Sequence, residues 1–219
     1  MASQIEIELA KLKNAIVKMS NLAESQIFEA VGVLLSEPIS EKKEVKKTEN
    51  KIDKLDVKID DICQGIFALQ QPVAKDLRFI MSATQISAEI ERMGDLAMSI
   101  IKLNKYINEK HQLISKFKIS EIAREVESMA IKTNICFQTL DENAIQEIFT
   151  LNTQLKQKID EVILAIINEM KTNSKTVVSG THLILALKHI DRIGEHCTNI
   201  VESVYFIINA KIIRHEKLV

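Results

Sequence analysis

Two short acidic motifs, a hundred residues apart, are the part of this sequence best suited to chemistry. The first is Glu91-Arg92-Met93-Gly94-Asp95 and the second is Asp191-Arg192-Ile193-Gly194-Glu195. On a helix, residues four apart lie on the same side with Cβ atoms about 6 Å from each other, so each motif would present two carboxylates together. Paired carboxylates are costly unless a cation, a proton or hydrogen bonds compensate them. Each motif is therefore a candidate cation site.

The position of the first pair on its helix supports this interpretation. A projection at about 100° per residue puts Arg78, Glu89 and Arg92 on one polar face. Glu91 and Asp95 fall away from that face, among apolar residues. We therefore expect both acids to lie away from solvent.

A second acidic stripe could complete the first site. Its members step by 4, 3 and 4 residues along the preceding helical segment: Glu49, Asp53, Asp56 and Asp60. Antiparallel packing would bring Glu49 and Asp53 to the first motif and give four carboxylates. An all-oxygen set suits Mg, Mn, Ca or Fe better than zinc bound through thiolates.

The second half of the chain matches less well. In our sequence alignment Asp160 corresponds to Asp53, but Lys156 stands where Glu49 would be. A lysine there weakens the second site, and acids four apart also occur on ordinary helix surfaces, so that alternative stays open. The predicted metal ligands are Glu49, Asp53, Glu91, Asp95, Asp160, Asp191 and Glu195.

Histidine and cysteine do not add a shared site. Three histidines recur every seven residues, about 10.5 Å apart along a helix, so they cannot share an ion and are expected to form a solvated stripe. They are His182, His189 and His196. Three widely spaced cysteines lie in apolar helical patterns, which favours reduced core thiols. They are Cys63, Cys136 and Cys197.

The elements that must position these acids are helices. Only 5 Gly and 2 Pro interrupt the chain, and aromatic residues make up 4%, so long helices are favoured over strands. Apolar residues alternate by 3 and 4 from Val45 to Leu69 and again from Phe79 to Ile100. A first helix from about Ile5 to Leu35 should stop near Pro38, and Pro72 should occupy the first turn of the third helix.

The same pattern then recurs, which indicates a duplication. Helices are predicted at about 120–140, 141–170 and 174–213, and residues 90–101 laid on 190–201 match at two isoleucines, the arginine and the glycine. The predicted fold is all-α, with two tandem three-helix bundles at 1–108 and 115–219, rather than a solenoid.

Charge and hydropathy exclude several classes of protein. With 29 basic and 30 acidic residues the formal net charge is -1, so no basic field attracts nucleic acid. Uncharged stretches are far shorter than the roughly 20 residues of a membrane helix, and the first residues do not have the pattern of a secretory signal. We therefore expect a cytoplasmic protein with no membrane insertion.

Three segments of the sequence resemble the signatures of the PhoU family of phosphate-signalling regulators. They are the stretch from Leu69 to Phe79 followed by Glu91 to Ala97, the stretch from Asp191 to Glu202, and the ending Ile212-Ile213-Arg214-His215. The resemblance covers nearly the whole chain.

This resemblance implies two three-helix bundles related by pseudo-twofold symmetry, in a cytoplasmic, commonly dimeric protein that is not an enzyme. It implies a negative regulator of the phosphate-starvation response. Its partners would be the ATPase subunit of the high-affinity phosphate importer and a sensor histidine kinase, through which it would associate peripherally with the membrane. Metal ions such as Fe, Mn, Zn or Mg are expected on Glu/Asp-x-x-x-Asp motifs, which Glu49 to Asp53 and Glu91 to Asp95 match.

Two other functions remain compatible with the sequence. A carboxylate-bridged di-metal oxidase normally uses Glu-x-x-His pairs, and no Glu in this chain has a His three residues later. A purely structural helical scaffold is the other alternative, and the repeated acid pair argues only moderately against it.

Overall fold

The computed structural model describes residues 3–36, 42–107 and 110–213. Within them the protein is helical, with single 3-10 turns at Asn104–Tyr106 and Ser174–Thr176 and no strand. The α-helices are α1 (Gln4–Leu35), α2 (Lys42–Gln70), α3 (Ala74–Leu103), α4 (Lys110–Lys116), α5 (Ile119–Thr139), α6 (Glu142–Thr172) and α7 (Val177–Asn209). None of these helices is both long and apolar enough to cross a bilayer.

The long helices form two bundles that pack on each other. Helices α1, α2 and α3 make the first bundle, and α5, α6 and α7 make the second. The most extensive contact between two helices is that of α3 with α7, and α1 also packs on α5. The equivalent third helices of the two bundles therefore meet at the centre, which confirms the predicted all-α fold of two related three-helix bundles.

One continuous apolar core runs through both bundles. Phe79 of α3 stacks on Phe137 of α5, with ring centroids 6.3 Å apart. The hydroxyl of Ser82 donates to the carbonyl of Ser203, which ties α3 to α7. The two repeats thus form one packed body. The three cysteines are buried and free, as predicted.

Several helix ends differ from the predicted ones. The third helix begins after Val73, whose extended backbone forms the N-cap, so Pro72 lies outside the first turn. The last helix ends at Asn209 instead of about residue 213, because Ala210 is left-handed with φ 56° and its N–H bonds the carbonyl of Phe206. Pro38 lies outside the described residues, and the short helix α4 was not predicted.

Two glycines mark where the third helix of each bundle approaches its neighbour. A Cβ built on Gly94 would lie 3.2 Å from Cδ1 of Ile52 on α2. A Cβ built on Gly194 would lie 2.6 Å from Oδ1 of Asn152 and 3.1 Å from Cδ2 of Leu155, both on α6. The second approach is the tighter of the two, and it faces a buried polar atom.

We expect Gly194→Ala to lower the free energy of unfolding by about 1–2 kcal/mol, because the added methyl displaces Asn152 in a packed interface. Gly65→Ala is the matched control, since no atom lies within 4 Å of its added Cβ. That variant should gain about 0.5–1 kcal/mol from helix propensity alone. Urea denaturation measures both, and a Gly194→Ala variant as stable as Gly65→Ala would contradict the close approach.

A half-buried acid lies between the two bundles. Asn134 of α5 donates its side-chain N–H to Oε1 of Glu24 on α1, at 2.5 Å, and to Oδ1 of Asn21 at 2.8 Å. Burial raises the pKa of Glu24 above its usual range, although the hydrogen bond from Asn134 opposes the shift. The folded state therefore favours the protonated form of this acid.

A raised pKa in the folded state contributes stability at low pH, and this contribution is lost as the pH rises through the folded pKa. We expect Glu24→Gln, which keeps an acceptor for Asn134, to raise the melting temperature by about 1–2 °C at pH 7. The gain should vanish near pH 4. Glu121→Gln, at a side chain that is 65% exposed, is the control, and a gain independent of pH would contradict this account.

Candidate metal site

The first motif faces α2 from the outer side of α3. The side chain of Glu91 is 27% exposed, and that of Asp95 is 49% exposed. Arg92 reaches both acids, with Nε 3.5 Å from Oε2 of Glu91 and Nη1 3.5 Å from Oδ2 of Asp95. We expected both acids to lie away from solvent. This is wrong for Asp95, whose side chain is about half exposed, whereas Glu91 is partly buried.

Negative charge accumulates around Glu91. Burial raises its pKa first, and repulsion from Asp95 adds to the shift; Arg92 opposes it, and Asp56 and Asp53 on α2 raise it further. We call Asp53, Asp56, Glu91 and Asp95 the first-repeat acid cluster. Two helices thus contribute like charges that the neighbouring arginine does not balance.

The predicted ligand Glu49 lies outside this cluster. It is a partly buried residue of α2, one turn before Asp53, and it is not among the charges that shift the pKa of Glu91. Asp56, which the metal-ligand prediction left out, is among them. The predicted acidic stripe of α2 therefore faces Glu91 through Asp53, which was a proposed ligand, and through Asp56, which was not.

The donor set of the first-repeat acid cluster suits a hard cation. Its donors are carboxylate oxygens, which bind Mg, Mn or Ca readily, and Fe less selectively. Among the side chains described in 3–36, 45–107 and 112–213, no three His, Cys, Asp or Glu residues are gathered closely enough to hold a metal ion. The fit thus rests on the donor chemistry and on the excess negative charge; a bound cation would supply the missing positive charge.

The acids of the second motif form hydrogen bonds with lysines. Lys188 donates to Oδ1 of Asp160 at 3.1 Å and to Oδ2 of Asp191 at 3.2 Å. Lys156 donates to Oε1 of Glu195 at 3.5 Å. Partial burial lowers the pKa of Lys188, but its hydrogen bonds to Asp160 and Asp191 outweigh this and raise it. Each of these acids already has a lysine beside it, although Oδ1 of Asp191 is buried without a hydrogen-bond partner. With these positive charges in place, the second motif does not fit a metal.

The glycine contacts also change the sequence correspondence between α2 and α6. Leu155 is the apolar one of the two α6 side chains that approach Gly194, as Ile52 of α2 is at Gly94. Matching these two residues places Lys156 where Asp53 stands. By the same register Asn152 takes the place of Glu49, and Asp160 lies one turn further on. In this register Asp160 lies four residues beyond the place of Asp53, and the sequence alone does not separate the two registers because a shift of one helical turn preserves the apolar face.

Sequence reasoning missed a polar cluster between the two repeats. Glu89 of α3 accepts hydrogen bonds at Oε2 from Asn199 of α7 at 3.0 Å and makes a 2.5 Å contact with Nδ1 of His196. Burial raises the pKa of Glu89, but these hydrogen bonds outweigh it and lower the pKa.

The predicted solvated histidine stripe is wrong, because α7 turns this face towards α3. His196 is 15% exposed, and His182 stacks on Tyr106 with ring centroids 4.6 Å apart. The seven-residue spacing of the histidines marked one helix face correctly. It carried no information on what covers that face.

Both bundles match the same known protein domain. The family profile described as PhoU domain matches residues 16–103 and 119–204, one copy in each bundle. The chain belongs to the PhoU family. Its acid motifs therefore lie at equivalent places in two copies of one domain.

Relatives match over nearly the whole chain. The phosphate-specific transport system accessory protein PhoU of Escherichia coli (strain K12) is 24% identical over 217 residues, which cover 98% of this chain and 89% of the relative. A homologue of that accessory protein from Clostridium acetobutylicum is 27% identical over 208 residues, or 94% of each chain.

Solved structures share the fold. The crystal structure of PhoU from Pseudomonas aeruginosa superposes with a TM-score of 0.84 at 22% identity, covering 95% of this chain and 100% of that one. The phosphate transport system regulatory protein PhoU from Streptococcus pneumoniae gives a TM-score of 0.83 at 21% identity, covering 95% and 99%. The resemblance to the PhoU family and the fold that it implies are confirmed.

Proposed function

We propose that this protein is a non-enzymatic accessory regulator of phosphate transport that represses the phosphate-starvation response. The observation that carries this proposal is the family match in both bundles, together with relatives named as phosphate-specific transport accessory proteins over 98% of the chain. In the proposal the protein is a cytoplasmic homodimer. It reports phosphate sufficiency by linking the ATPase subunit of a phosphate importer to a sensor histidine kinase.

The surface at the α2–α3 turn supports a function through protein partners. Large apolar side chains are exposed on both sides of this turn, and Leu69 and Val73 are 77% and 70% exposed. Phe67 and Leu77 are exposed beside them. Clustered exposed apolar side chains are typical of surfaces that meet another protein.

We further propose that the first-repeat acid cluster binds a divalent or trivalent metal ion, such as Fe, Mn, Zn or Mg. The support is the excess negative charge around Glu91 and its oxygen donors on two helices. A cation there would bind α2 and α3 together and relieve the repulsion between their acids. The metal would thereby act on the shape and stability of the first bundle.

Deleting the gene should switch phosphate-uptake genes on in phosphate-rich medium, because the repressing signal is lost. A transcriptional reporter of an uptake promoter measures this. Complementation with the wild-type gene, and with the stabilised Gly65→Ala variant as a control, should restore repression. Unchanged reporter expression in the deletion strain would contradict the regulatory proposal.

The double variant Glu91→Ala with Asp95→Ala should lose most of the metal that the wild type retains when both are purified without chelators. Elemental analysis measures the metal content per chain. Asp61→Ala, at an exposed acid of the same α2–α3 bundle, is the matched control and should keep its metal. Equal metal in the double variant and the wild type would remove Glu91 and Asp95 as ligands.

A further inference from the structure

We infer that the second repeat carries its own permanent cations, Lys156 and Lys188, in the place of a metal ion, so that only the first repeat binds metal. This inference rests on the proposed metal binding of the first-repeat acid cluster. It assigns the two acid motifs different chemical roles despite their equivalent positions in the family domain.

The first support is the geometry around Lys188. Its ammonium bridges Asp160 on α6 and Asp191 on α7, at 3.1 and 3.2 Å. The side chain of Asp191 is 8% exposed. A buried carboxylate needs a partner charge, because leaving it unpaired is strongly destabilising. Asp191 receives this charge through Oδ2, whereas its Oδ1 is buried without a hydrogen-bond partner. Lys188 provides this charge from within the chain and binds α6 to α7 as a metal would.

The second support is what occupies the equivalent positions in the first repeat. The hundred-residue spacing of the motifs places Ala88 where Lys188 stands, and the glycine contacts place Asp53 where Lys156 stands. The first repeat thus has a neutral methyl and a carboxylate at the two places where the second has ammonium groups. The two copies of the family domain therefore differ in charge at these two places.

The third support is the loss of an acid. By the register of the glycine contacts, Ile159 takes the place of Asp56, a member of the first-repeat acid cluster. The second repeat therefore has fewer carboxylates than the first at equivalent positions. Two lysines also lie beside the carboxylates that it keeps. A metal ion entering there would meet two positive charges at close range, which opposes binding.

Reciprocal exchanges between the repeats test the inference. The opened variant, Lys156→Asp with Lys188→Ala, copies Asp53 and Ala88 into the second repeat. The closed variant, Asp53→Lys with Ala88→Lys, copies the lysines into the first, at two exposed positions. Each full-length protein is saturated with Mn²⁺, freed of excess metal, and measured for manganese per chain and for melting temperature with and without Mn²⁺.

We expect the opened variant to bind about twice the manganese of the wild type and the closed variant to bind none. Without metal the opened variant should melt below the wild type, because Asp191 loses its partner, and Mn²⁺ should restore much of the loss. Wild-type manganese that falls on Asp191→Asn with Glu195→Gln would overturn the inference.

The outcomes separate this inference from the proposed metal function. A wild type without manganese, together with an opened variant that binds it, would refute the first-repeat metal site and support the replacement by lysine. If the opened variant fails to fold, the closed variant decides, since it alters only exposed positions. Manganese retained by a folded closed variant would show that lysines at these places do not exclude metal, and would overturn the inference.

Discussion

The packing of α3 on α7 is the contact on which the rest of the structure depends. It sets the third helix of each bundle back to back, so the inward faces meet each other and the outward faces meet α2 and α6. Glu89 and His196 lie on the inward side and bind the two repeats together. Glu91 and Asp191 lie on the outward sides, each between two helices of its own bundle. This contact thus decides which side of α3 and of α7 faces the other repeat and which side faces a neighbour in its own bundle.

The alternation of apolar residues was enough to predict the number and type of the long helices. A seam with steps of 3 and 4 identifies an apolar face with little ambiguity, and the segment from Val45 to Leu69 lies within α2 as expected. The same periodicity cannot fix axial register, because sliding a helix by one turn returns an apolar residue to the same place. For this reason the sequence alone matches Asp160 with Asp53, whereas the apolar contacts of the two glycines match Lys156 with Asp53.

The acids of the candidate site were predictable from the sequence, but the lysine that neutralises the acids of the second motif was not. The spacing of Glu91 and Asp95, with an acidic stripe on the preceding helix, was sufficient to indicate a shared patch of negative charge. Lys188 gave no comparable signal, since a lysine three residues before an acid is common on helix surfaces. Its bond to Asp160 joins residues on two helices, and such a contact follows from tertiary packing. The covering of the inward face of α7 by α3 was not predictable for the same reason.

The continuous core has a consequence for how the two halves respond to a ligand. Because Phe79 stacks on Phe137 across the bundles, neither half can lose its packing without exposing the interior of the other. Such packing couples the unfolding of the two halves, so free energy gained by binding in one half also stabilises the other. A cation held at one end would therefore tighten helices at the far end that never touch it. After duplication, one copy of the domain could lose its own ligand and still respond to a ligand bound by the other copy.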